Sequence, residues 1–108
     1  MPTYNKLIRN KIPQIIKING KTPTTRILSE DEYIKEICKK TEEELNEYLE
    51  ATTKEHKLEE LSDLLELIKA LAEHEGTTLE ELNEIRKKKV EERGGFSNRV
   101  FLIGVTNN

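Results

Sequence analysis

Four acidic residues, Glu44, Glu47, Glu60 and Asp63, form two short signatures, Glu44-x-x-Glu47 and Glu60-x-x-Asp63. A spacing of three is one helical turn, so each pair of carboxylates shares a helix face. Four carboxylates converging in a half-buried place cannot all stay ionised without compensation. A divalent cation is one compensator, and hard oxygen donors suit Mg²⁺, with Mn²⁺ as the alternative. Pairing with Lys and Arg in a helical surface network is the other, and spacing alone does not choose between them.

The direction in which these acids point follows from a helical projection at about 100° per residue. Glu60 falls between Leu67 and Leu71, inside an apolar arc that also holds Leu61, Leu64 and Ile68, and Asp63 lies at its edge near Ala70. Glu59, Glu66 and Glu73 gather on the opposite side, the expected solvated face. The preceding helix repeats the arrangement. Glu44 sits among Tyr33, Ile34, Ile37, Leu45, Tyr48 and Ala51, with Glu47 at the edge and Glu43 and Glu50 outward. Packing the two helices by these faces would bring the four carboxylates together.

Local signals delimit the elements that must do this. Asn10 is a candidate N-cap, with Pro13 in the first turn, for a short helix reaching about Ile18 and broken by Asn19-Gly20. Ser29 and Glu32 form a capping box, with Asp31 adding first-turn charge, for a long helix over about 30–52. Thr52-Thr53 interrupts it, and a second helix runs from about Lys54 to Glu75, ended by Gly76. Thr78 and Glu81 form another capping box for a helix over about 79–93, stopped by Gly94-Gly95. Thr24–Leu28 and the apolar run VFLIGV in the tail are β-prone. The expected fold class is therefore all-α, an antiparallel bundle of three to four helices in a single domain, with a minor β element from the terminal segments.

The last helix carries Arg86, Lys89 and Arg93 along the inward stripe of Leu79, Leu82, Ile85 and Val90, while Lys87 and Lys88 turn outward. Bases facing the same interior as the acids suit phosphate oxygens. They equally suit salt bridges, or stems laid along the core with their heads in water. The opening segment adds Lys6, Arg9 and Lys11.

Composition excludes several functions. Of 108 residues, 34% are hydrophobic and 36% charged, with a net charge of -3 and the two signs interleaved. That is not the basic footprint of a nucleic-acid binder. No apolar run approaches the roughly 18 residues of a membrane span, and no signal-peptide core is present at the N-terminus. A lone cysteine, Cys38, precludes an intramolecular disulfide and suits a reducing cytoplasm. So lean an apolar inventory leads us to expect a core completed by a second copy of the chain, in a homodimer or homotetramer.

Glu43-Glu44-x-x-Glu47, twelve residues, then Glu60-x-x-Asp63 resembles the EExxE…ExxD pattern of the MazG-like nucleoside triphosphate pyrophosphohydrolases. KLIRNKIPQII at 6–16 and ERGGF at 92–96 are similar to a phosphoribosyl-ATP pyrophosphohydrolase-like subgroup, so the resemblance covers nearly the whole chain. It implies an all-α, dimeric or tetrameric fold and Mg²⁺-dependent cleavage of a nucleoside triphosphate to monophosphate and pyrophosphate, as in nucleotide-pool housekeeping. By motif, Glu44, Glu47, Glu60 and Asp63 would be the metal ligands, and Lys6, Arg9, Lys11, Lys89 and Arg93 the phosphate contacts. Asn10 departs from the Asp usual in the subgroup's opening, which removes any acidic role there.

The residues fit that chemistry. Metal ions would neutralise and orient phosphates and activate a water, and a carboxylate, with Glu43 a candidate, would take the proton. No competing nucleophile is evident. Cys38 reads as a small buried residue, His56 and His74 as surface residues without a ligand cluster, and Tyr33 and Tyr48 as packing residues. Phosphoribosyl-ATP hydrolysis and a non-catalytic oligomeric helical module are the competing expectations.

Overall fold

The structure, a computed structural model, describes residues 3–107. Four helices follow in order: α1 (Ile12–Ile18), α2 (Glu30–Glu50), α3 (Lys54–His74) and α4 (Leu79–Arg93). The fold is all-α. Each boundary has a local cause. Ser29 completes its capping box: its hydroxyl accepts from the Glu32 N–H at 3.3 Å, and the Ser29 N–H donates to the Glu32 carboxylate at 3.1 Å. Thr53 and Thr78 accept from the His56 and Glu81 N–H groups and start α3 and α4. The Glu81 side chain turns to the Thr77 hydroxyl, so the second capping box is half formed. Gly76 ends α3 with φ +83°, which lets Thr77 N–H reach the Ala72 carbonyl at 3.0 Å and Gly76 N–H that of Glu73.

At α1 the N-cap position belongs to Lys11, without a side-chain cap, and not to the expected Asn10. Pro13 in the first turn removes one of the N–H groups that a cap would have satisfied.

Ala51–Thr53 is too short to separate α2 from α3, so the two pack as a helical hairpin. Lys57 fastens its closed end: Nζ donates to the Tyr48 carbonyl at 3.1 Å and lies 4.5 Å from the centre of the Tyr48 ring. Ile37, at 1% exposure, is the large side chain that the hairpin fully encloses, and Ala51 and Ala72 are buried as well. Helix α4 packs on α3 alone, and α1 packs on no other helix.

No described residue lies in a strand. The expected minor β element is absent because residues 24–28 and the tail find no sheet edge to pair with, and an isolated strand has no stability of its own. Phe96, Phe101 and Ile103 are almost wholly exposed. The chain is correspondingly extended, with a radius of gyration of 18.8 Å and extents of 68 × 35 × 23 Å. A compact chain of this length has a radius of about 13 Å.

Candidate metal centre

The closed end of the hairpin carries the acids. Glu44 and Glu47 come from the last turns of α2, and Glu60 from the second turn of α3. One carboxylate oxygen from each lies within 4.8 Å of the others. Glu44 and Glu60 are only 7% and 6% exposed, whereas Glu47 faces solvent and opens the cluster to it. Their helical register against the apolar arc dictates this, since the stripe that buries Ile37 passes through Glu44 two turns further along.

With both carboxylates ionised, Glu44 Oε2 and Glu60 Oε2 are buried without a hydrogen-bond partner. Such a group costs about 1–3 kcal/mol or more when charged, so it calls for a proton or a cation. The Glu44 carboxyl is pushed up to about 8, first by burial, then by hydrogen bonding to Glu60 and by the charges of Glu47, Glu60 and Asp63. Hydrogen bonding to Glu44 in turn holds Glu60 below the usual carboxylate range against its own burial, with Glu47 and His56 assisting. These opposed shifts favour a proton on Glu44 over one on Glu60. Oxygen-only donors, one solvent-facing side and two orphaned buried oxygens fit a hard divalent cation held by Glu44, Glu47 and Glu60.

Asp63 stands beside this group and is otherwise engaged. Arg9 Nη2 donates to its Oδ1 at 2.6 Å. That ion pair lays the N-terminal segment across the hairpin. Lys6 and Leu7 then line a small groove against Glu36, Lys39, Lys40 and Glu43 of α2. Lys11, Lys89 and Arg93 are exposed, and none forms an ion pair with the cluster among the described residues. The α4 bases are exposed, as stems that carry their heads into water would be. Four apolar residues in fifteen give α4 too thin a stripe to cover both hairpin helices, and Ile85 and Val90 remain largely exposed.

Two basic neighbours stand outside the expected set. Lys40 Nζ stands 3.8 Å from Glu44 Oε1, and His56 Nε2 3.2 Å from Glu60 Oε1. Both are i,i+4 partners, a signal present in the sequence. Cys38 is exposed, not buried, because nothing covers that side of α2. Tyr48 packs as expected, under Lys57. A cavity of about 280 Å³ lies at the other end of the hairpin, lined by Glu30, Tyr33, Ala70, Glu73 and His74, away from the acids.

A stretch of 54 residues is 41% identical to an uncharacterized protein of Mycolicibacterium smegmatis (strain ATCC 700084 / mc(2)155), covering 50% of this chain and 55% of that protein. The chain spans about half the length of this relative. No family model matches the chain, and no solved structure does. No described helix is long and apolar enough to cross a membrane.

Proposed function

We propose that the protein is a Mg²⁺-dependent pyrophosphohydrolase that cleaves a nucleoside triphosphate, or a close relative, to the monophosphate and pyrophosphate. One observation carries the reading: Glu44 and Glu60 are buried with unpaired oxygens beside solvent-facing Glu47, a donor set in want of a hard cation. The resemblance of the two acidic signatures and both end motifs to MazG-like enzymes supports the substrate class.

The chemistry supplied by bound Mg²⁺ is neutralisation and orientation of phosphate oxygens and activation of water. Glu44, Glu47 and Glu60 hold the cation. Asp63 joins them or stays on Arg9, and Glu43, exposed and one residue before Glu44, is the proposed proton acceptor for the attacking water. Lys6 and Arg9, on the segment crossing the hairpin, meet the phosphate chain.

The proposal includes self-association into a homodimer or homotetramer. The chain exposes 10102 Å². A compact monomer of 12.6 kDa exposes about 6,200 Å². The excess, about 3,900 Å² per chain, is more than one partner gives up in most permanent interfaces, roughly 1,000–2,500 Å² each. It is apolar where α1, α4 and the tail leave Ile18, Ile85, Phe101 and Ile103 uncovered. The groove beside Glu43, about 20 Å³, is too small for a nucleotide, so walls supplied by a second copy are part of this reading.

Incubation with a panel of standard, modified and phosphoribosylated nucleotides, with and without Mg²⁺, tests the reaction. Release of pyrophosphate from at least one, only with the cation, is expected. No pyrophosphate from any of them, with the metal bound, overturns it.

A further inference from the structure

Lys40 has no place in the reaction outlined above, yet it is the base closest to the buried carboxylates after His56. Its side chain is 22% exposed, much the least of the cations flanking the site, and Nζ lies 3.8 Å from Glu44 Oε1. Arg9 stands in the same relation to Asp63, at 2.6 Å. Each therefore places a positive charge beside an oxygen that a divalent cation would also claim. Both are anchored on segments that line the small groove beside Glu43, Lys40 directly and Arg9 two residues beyond Leu7.

We infer that Lys40 and Arg9 are built-in counter-ions that a divalent cation must displace, and that the ammonium and guanidinium so released bind the anionic phosphate of the ligand. The inference rests on the metal-site reading. It assigns Lys40 a binding role beyond the reaction outlined above and gives the site an order of events: a cation that arrives alone meets competition, whereas a cation arriving with a polyphosphate brings acceptors for the two displaced bases. Two opposite signs follow. Removing either base strengthens binding of the cation alone, because a competitor and a like charge are lost. Removing either base weakens binding of a polyphosphate in the cation's presence, because a charge-assisted donor is lost. A base that merely holds Glu44 or Asp63 in position would weaken both.

The test measures Mn²⁺ affinity by calorimetry at one fixed pH, for the full chain and for Lys40→Met, Arg9→Met and Lys40→Arg, with circular dichroism checking that each variant folds. The methionine variants keep the aliphatic stem and its packing. Without nucleotide, both should bind Mn²⁺ about threefold more tightly, the scale of a part-exposed ion pair. Lys40→Arg should bind as the unchanged chain does. With Mn²⁺ present, both methionine variants should lose affinity for imidodiphosphate, a non-hydrolysable polyphosphate. If the unchanged chain binds Mn²⁺ and the methionine variants bind it equally or more weakly, the counter-ion role is overturned and the metal site stands. If no version binds Mn²⁺, the metal site falls and the inference with it.

Discussion

Glu44 of α2 and Glu60 of α3 oppose each other across the closed end of the hairpin, each more than nine-tenths buried and each with one oxygen unpaired. A proton and a divalent cation are alternative ways to satisfy this pair, so they compete. The folded, metal-free protein holds a proton on Glu44 up to about pH 8, whereas the unfolded chain releases it near 4.5. The folded state thus binds more protons in that window, and stability falls as pH rises through it. We expect the metal-free Tm to decline from pH 4.5 to about 8 and Mg²⁺ to raise Tm most at the upper end. Glu44→Gln should flatten the decline and lose the Mg²⁺ response. A Tm insensitive to both pH and Mg²⁺ contradicts the arrangement.

A second ion pair sets a different pH limit. Arg26 holds Glu32 with two hydrogen bonds of 2.8 and 3.2 Å, and with the Ser29 N–H it lowers the Glu32 carboxyl to about 2. A depressed acid stabilises the fold above its unfolded value and loses that contribution as pH falls towards the folded one. The start of α2 should therefore weaken between pH 4.5 and 2, read as rising amide hydrogen exchange at 30–33. Arg26→Met should move the onset of that exchange upwards in pH.

Enclosure of Ile37 is the main apolar attachment of α2 to α3. Ile37→Ala should cost about 3 kcal/mol, within the range for a large aliphatic side chain replaced by alanine, measured by urea unfolding. Because Glu44 lies two turns along the same face, the Mg²⁺-induced rise in Tm should fall as well.

The exposed tail predicts an assembly. Light scattering should give a mass at least twice 12.6 kDa for the chain. Phe101→Asp with Ile103→Asp should lower it towards the monomer while leaving the helical signal of the hairpin. A monomeric unchanged chain contradicts the self-association proposal.

The helices were legible because each has a written start and stop: Ser29 with Glu32, Thr53, Thr78, Gly76 and Gly94 all act locally. Burial of Glu44 and Glu60 was legible for a similar reason, since a helical projection fixes which residues share the apolar face. What failed depends on neighbours. The projection puts Lys89 and Arg93 on the stripe of Ile85 and Val90, yet both bases are exposed, because α4 has too little apolar surface to bury that stripe. Cys38 was expected to be covered and is not, since α2 packs on α3 alone among the helices. Arg9 and Asp63 are 54 residues apart, and no periodicity joins a residue in an extended segment to one on a helix. The Lys40–Glu44 and His56–Glu60 pairs were readable as i,i+4 partners, although their importance depends on the burial of the glutamates.

The central claim is that the buried carboxylates hold a cation for pyrophosphate release. Phosphorus NMR of a nucleoside triphosphate incubated with the protein and Mg²⁺ reads it directly, alongside Glu60→Gln, whose helices should remain intact by circular dichroism. Equal amounts of monophosphate and pyrophosphate are expected from the unchanged chain, and at least a hundredfold less, about 2.7 kcal/mol of transition-state stabilisation, from the variant. Undiminished turnover by Glu60→Gln, or products other than monophosphate and pyrophosphate, would contradict it.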